Sequence, residues 1–216
     1  MGEDDRRSDE GTIVVIGTGR VNVEPDVADL RLGLAVARPT VEAARAEAAT
    51  TMAAVLAAIE AAGVEGRDVR TALLSVQPRY DYRDGSAPVL TGYELANIVA
   101  VTVRDLRLLG AVIEGALRAG ATSMDGLGFR VEDPSAAERT ARLAAMGAAR
   151  SRADVLAAAA DLTIVGVGDI VEGTAVPPPT PRSKERMMLA ASDAATPIEA
   201  GTIEVSVSVT VSYRVR

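Results

Sequence analysis

A chain of 216 residues with no Cys, no His and no Trp cannot build a Ser-His-Asp triad, a thiol nucleophile, a Cys/His zinc site or a disulfide framework. Hydrophobic residues at 48% and charged residues at 25% fall in the globular range. A net charge of −7 argues against a nucleic-acid partner, which calls for a basic face.

Acid–base chemistry would have to come from Asp, Glu, Tyr, Arg or Lys184, the single lysine. A metal would find only oxygen ligands, and neither a metal nor a cofactor is expected. Aromatic residues make up 2%, so the core must be built from Ala, Val, Leu and Ile. Residues 1–11 are acidic and polar and read as a disordered tail. No basic start and apolar run marks a secretory signal, and no window is apolar enough for a membrane span. As written, the chain is expected in the cytoplasm. A native chain trimmed of an export signal would belong to the cell envelope or periplasm.

Residues 12–23 read as a strand interrupted by Gly17 and Gly19, which mark a bulge or a close backbone approach. After a turn at Pro25-Asp26, residues 27–37 alternate, with Ala28, Leu30, Leu32, Leu34 and Val36 on one face. These two runs suggest a hairpin. Thr40 is placed to cap a helix over 40–62, whose stripe is Val41, Ala44, Ala48, Met52, Val55 and Ile59, with Gly63 as its stop. A strand over 69–82, a loop over 83–91 and a strand over 92–104 come next, with Asn97 the one polar residue in phase on the second strand.

Asp105 is a possible cap for a second helix over 106–119, which Gly120 ends. A strand over 123–132 precedes Asp133-Pro134, which opens a long, Ala-rich third helix to about 160. Its small face (Ala141, Ala144, Ala145, Ala148, Ala149) would let it lie close to a sheet or a second helix. A strand over 163–172 leads to residues 173–198, where Pro177, Pro178, Pro179, Pro181 and Pro197 mark a long loop or arm. In TIEVSVSVTVSYRVR every odd position from Ile203 to Val215 is apolar and every even position is polar. A strand of that length spans roughly 50 Å. It should pair with more than one neighbour or run past a sheet edge.

The order is therefore ββαββαβαββ. It predicts an α+β domain over 12–216, with a mixed, mainly antiparallel sheet, about three helices on one face and a long C-terminal strand.

Several segments also match a known family in order: GTGRVNVEPDVADLRLGL near the start, VRTALLSVQPRYDY at 69–82, GYELANIVAVTVRDLRLLGAVIEGALRAGA at 92–121 and DGLGFRVED at 125–133. The match continues through AARSRADVLAAAADL at 148–162 and TPIEAGTIEVSVSVTVSYRV at 196–215. The chain resembles the SIMPL-domain family of YggE-like bacterial proteins. The resemblance implies an α+β fold, assembly into large rings, and an association with stress tolerance and the cell envelope. No catalytic residues are established for the family, so it supplies none.

Candidate chemistry is sparse. Gly17-Thr18-Gly19 follows a strand as a dinucleotide loop would, but the third glycine of that fingerprint falls on Asn22 and no helix follows. Gly126-Leu127-Gly128 and Gly166-Val167-Gly168 fail in the same way. Asp81, Asp84 and Glu94 match no calcium-loop spacing and read as a solvated loop. Arg139, Arg142, Arg150 and Arg152 give the third helix a basic side, read as solvated charge with anion binding as the other reading. Met187 and Met188 are either a soft contact for a partner or ordinary loop residues.

Arg79, Tyr80 and Tyr82 sit at a strand end with Tyr93 across the loop, a local concentration in a chain with four Tyr and one Phe. They are either a docking or subunit-contact patch or an aromatic plug at the end of the core. The expected function is a non-enzymatic, self-assembling protein, a homo-oligomer formed by strand-edge pairing or sheet stacking through 202–216, with the Pro-rich segment as an exchanged arm. The alternative is a small-ligand or peptide-binding module at the Tyr-rich end.

Overall fold

The computed structural model describes residues 11–82, 87–173 and 198–216. The elements run β1 (Gly11–Val23), β2 (Val27–Arg38), α1 (Val41–Ala61), β3 (Val69–Asp81), β4 (Val89–Val103), α2 (Leu109–Arg118), β5 (Ser123–Arg130), α3 (Ser135–Ala159), β6 (Ile164–Glu172) and β7 (Ile203–Val215). Short 3-10 turns at Gly66–Asp68 and Leu106–Leu108 precede β3 and α2. The α+β class and the element order are those expected. Among the described residues the five strand pairings are all antiparallel, and the strands divide between two sheets, each with its own core.

The first unit is a three-stranded sheet, β1-β7-β6, with α3 on one face. β1 and β7 pair over their whole length, from Gly11 opposite Val215 to Val23 opposite Ile203. The expected β1–β2 hairpin does not form. A tight hairpin loop needs residues at positive φ. None of Glu24, Pro25 and Asp26 adopts one. β1 instead takes the long alternating strand at the other end of the chain. β7 is thus the middle strand, with Val207, Val209, Val211, Tyr213 and Val215 buried.

α3 buries Ala141, Ala145, Ala149, Ala153 and Ala157, a strict i, i+4 ladder. The expected Ala144 and Ala148 lie off it. The ladder works because its partner is glycine. A Cβ on Gly17 would come 2.0 Å from the Ala145 carbonyl oxygen, and one on Gly19 would come 2.0 Å from that of Ala141. The two glycines of β1 are therefore the close approach that the sequence suggested. They let the backbones of β1 and α3 touch.

The second unit is a four-stranded sheet, β3-β4-β2-β5, with α1 lying over β2 and β4 and α2 against α1. The Thr40 side chain caps α1 by accepting from the Ala43 amide at 3.2 Å. Ala44, Ala48, Met52, Val55 and Ile59 are buried against Leu30, Leu32, Leu34, Val99 and Val101. Gly63, at φ 98°, ends the helix. The Asp105 carboxylate accepts from the Arg107 amide at 3.0 Å, so it caps the 3-10 turn that leads into α2.

Candidate interaction surface

β3 forms one edge of the four-stranded sheet, and α1 and α2 leave its helix-side face bare. A register shift between Thr71 and Leu73 sets the phase of the rest of the strand. Leu74 stands opposite Asn97, Val76 opposite Leu95 and Pro78 opposite Tyr93. On β2 and β4 this face is core; on β3 it is solvent. Leu95 is 3% exposed while Val76, its neighbour across the ladder, is 44% exposed and Leu74 is 64% exposed.

The surface continues past the third strand. β2 ends at Arg38, opposite Tyr93. Beyond that point β3 and β4 go on alone, with a second register shift between Arg79 and Tyr80, then Tyr80 opposite Leu90 and Asp81 opposite Val89. Tyr80, Tyr82, Val89 and Leu90 are all exposed on this two-stranded tip. Gly92 starts it. Its φ is 150°, and a Cβ there would lie 2.6 Å from the Arg38 carbonyl oxygen, so only glycine lets β4 pass the end of β2.

Of the four residues singled out by sequence, the structure brings three to one face. The rings of Tyr80 and Tyr82 are 6.3 Å apart and tilted by 58°. Tyr93 is half-buried on the same face, opposite Pro78. Arg79 points to the other face, where its Nε is 4.0 Å from a Glu94 carboxylate oxygen. Tyr80 and Tyr82 are exposed, and none of the tyrosines at this end is among the residues of either buried cluster. Val89 and Leu90, read from sequence as loop, are strand residues, with Leu90 opposite Tyr80 on the tyrosine face and Val89 opposite Asp81 on the other. Their β-branched and aliphatic chemistry was the available signal.

Exposed sheet edges invite pairing with other chains. The edges at β5 and β6 are blunted. β5 is eight residues long and carries a register shift, and β6 carries two. On β1, the Arg152 guanidinium of α3 donates to the Ile16 carbonyl and occupies that one acceptor. β3, like β1 13 residues long, is an edge that also continues an apolar core face, although Pro78 removes one donor from it. The topology narrows the room for strand-edge pairing through 202–216: β7 pairs with β1 over its whole length and with β6 from Val209 to Val215.

The remaining candidates resolve into structural roles. Gly166 would clash with the Arg214 side chain and Gly168 with Ser212 Oγ, 2.6 Å away, so both are packing glycines. Arg142 is ion-paired with Glu138 and Glu172, and Arg150 with Asp154. Arg150 also lies 5.8 Å from the ring centroid of buried Tyr213. Two of the four arginines on the basic side of α3 are therefore ion-paired. Asp84, Met187, Met188 and the Pro-rich segment lie outside the described residues, as do residues 1–10. Among the described residues no group of three acidic side chains could hold a metal ion. No helix among them is long and apolar enough to cross a membrane.

Polar order on the sheet away from the helices comes from Asp29. Thr102 Oγ1 donates to its Oδ1 and Arg130 Nε to its Oδ2, each at 2.7 Å. Burial works to raise the Asp29 pKa, but these two donors and the charges of Arg130 and Arg70 outweigh it and hold the carboxyl below its ordinary value. Arg104 similarly clamps Asp68 and Glu132.

The architecture is that of a two-sheet, all-antiparallel α+β protein with an apolar surface on one edge strand. The SIMPL family, described as a protein of unknown function (DUF541), matches residues 13–213, and the chain belongs to it. It is 33% identical to the 26 kDa periplasmic immunogenic protein of Brucella melitensis, over 94% of this chain and 84% of that protein. It is 34% identical to the uncharacterized protein YggE of Escherichia coli K12, over 67% of this chain and 58% of that protein. The YggE of Edwardsiella ictaluri is 27% identical over 70% of this chain and 64% of its own length.

Proposed function

We propose that this chain is a non-catalytic building block that associates with copies of itself through the bare face of β3 and the β3–β4 tip. The observation that carries the reading is the stripe Leu74, Val76 and Tyr80. It continues a core face onto an edge strand that no helix covers. A two-stranded ribbon has little stability alone. One that exposes Tyr80, Tyr82, Val89 and Leu90 gains by being covered, at roughly 25 cal/mol per Å² of apolar surface. Tyr at such a patch is a residue type favoured in interfaces. Large rings and a stress-associated role in the cell envelope are what the family resemblance adds. An envelope location is further supported by the periplasmic name of the Brucella relative.

Mass photometry and light scattering at micromolar concentration test this. The wild-type chain should give particles well above the 22.3 kDa monomer. The triple variant Leu74→Thr, Val76→Thr, Tyr80→Thr should run as a monomer with an unchanged circular dichroism spectrum. A wild-type chain that is strictly monomeric at tens of micromolar would overturn the reading. A second reading, capture of an extended peptide by strand addition on β3, is favoured by the free edge and the Tyr80–Tyr82 pair. It predicts a monomer whose melting temperature rises with peptide ligand.

A further inference from the structure

The first unit carries a second apolar surface, independent of the assembly reading. A groove of about 400 Å³ runs between β1 and the C-terminal half of α3, lined by Val15, Ile16, Ser151, Arg152, Val155 and Leu156. Its volume is within the few hundred Å³ usual for small-molecule sites. The Ala ladder sets the geometry. With Ala149, Ala153 and Ala157 held against the sheet, positions 151, 152, 155 and 156 fall on one flank of the helix, beside the edge of β1. Val155 is 67% exposed and Leu156 49%, which puts two apolar side chains on one turn of helix, while Ile16 meets the groove at its carbonyl because its side chain alternates with Val15 and Gly17 onto the other face of the sheet.

One cation stands in this apolar setting. Arg152 donates to the Ile16 carbonyl, which fixes the guanidinium at the groove. A guanidinium has five N–H donors, so most remain unused. Among the described residues no carboxylate is ion-paired with Arg152, whereas its neighbours Arg142 and Arg150 both have one. An apolar trough ending at an unpaired, positioned guanidinium complements a ligand with one alkyl chain and one carboxylate. Arg meets carboxylate through two parallel hydrogen bonds, and Ser151 supplies a hydroxyl on the same flank.

We propose that this groove binds a free long-chain carboxylate, with the head on Arg152 and the alkyl chain along Val155 and Leu156. A cationic amphiphile is repelled by the same arrangement, and a neutral one gives up the charge-assisted hydrogen bonds. One helix flank and one strand edge bound the groove, which suits a single chain and not a two-chain lipid.

The test is displacement of the fluorescent probe 11-(dansylamino)undecanoate from the full chain by dodecanoate, dodecanol and dodecyltrimethylammonium. Saturable probe binding is expected, with dodecanoate the best competitor. Arg152→Gln should weaken dodecanoate about tenfold or more while leaving dodecanol unchanged. Val155→Asp, at an exposed position that tolerates the change, should abolish binding of both. Tyr80→Thr on β3 should alter neither. Circular dichroism and melting curves confirm that each variant is folded.

Absence of saturable probe binding overturns the proposal. So does equal competition by the cationic amphiphile, or unchanged dodecanoate affinity in Arg152→Gln. Probe binding lost in Tyr80→Thr would move the site to β3. Sedimentation with phosphatidylglycerol vesicles that depends on Arg152, without displacement by free dodecanoate, would replace the free carboxylate with a bilayer surface and also overturn it.

Discussion

At the scale of single residues, Gly17 and Gly19 of β1 and the glycine inside α3 make opposite demands. A Cβ on Gly17 meets the Ala145 carbonyl at 2.0 Å and the Ala149 amide nitrogen at 2.6 Å, and backbone cannot step aside as a side chain can. Gly17→Val is expected to cost about 3 kcal/mol or more, read from the urea midpoint. Gly147, on the exposed side of α3, has nothing within 4 Å of its would-be Cβ. Gly147→Ala should stabilise by about 0.5–1 kcal/mol, because it removes only the entropy cost of a helical glycine. Asp29 makes a pH statement. Its folded pKa is depressed, so the stability it contributes is present above the unfolded value of about 3.9 and is lost as pH falls through the lower folded value. Asp29→Asn should therefore lower the urea midpoint at pH 7, and the gap to wild type should close as the pH falls below the ordinary carboxylate value and through the lower folded one. With no histidine, no side chain of ordinary pKa titrates near neutrality, and the midpoint should be flat between about pH 6 and 8.

At the scale of elements, capping and edge protection decide more than propensity. α1 begins where Thr40 accepts from Ala43 and ends at Gly63, so Thr40→Ala should cost about 1 kcal/mol by thermal melting with little change in helix content. α3 has no side-chain cap on Pro134, but Asp133 accepts from the Ser135 amide at 3.0 Å at its start. Side-chain and backbone hydrogen bonds with Ser135 hold the Asp133 carboxyl below its usual value. The sheet edges show the same economy. Arg152 occupies one acceptor on β1, short length and register shifts limit β5 and β6, and β3 keeps its length and its apolar residues.

At the scale of the whole molecule, the two units differ in how the chain builds them. The second is almost continuous in sequence, from Pro25 to Glu132, with Ile198 added to its core. The first joins β1 to β7 across nearly the whole chain. Pairing over that separation closes a long loop before it gains contacts, so the first unit should fold more slowly. Each unit has its own buried cluster, so damage to one should be read locally. Hydrogen exchange on Gly17→Val should show faster exchange in β1, β7 and α3 and unchanged protection in β2, β4 and α1. Uniform acceleration throughout would show that the two cores unfold as one.

The sequence by itself determined the elements and their order. Period-2 and period-3.6 patterns are local, and caps such as Thr40 and stops such as Gly63 sit next to the helix ends they define. It also marked Gly17 and Gly19 as a close approach, and it gathered Tyr80, Tyr82 and Tyr93 at one end. Pairing was decided only in three dimensions. Nothing local to residues 24–26 says that β1 passes over its neighbour for a strand some 180 residues away. Nothing in β7 says that β1 takes its whole length and β6 only Val209 to Val215. Exposure followed pairing: Leu74 and Val76 have the alternation of core residues, and only the placement of α1 over β2 and β4 leaves them bare. The groove at Arg152 was invisible for a similar reason. An arginine on an Ala-rich helix carries no periodic signal, and its meaning comes from the Ile16 carbonyl it reaches across 136 positions of chain.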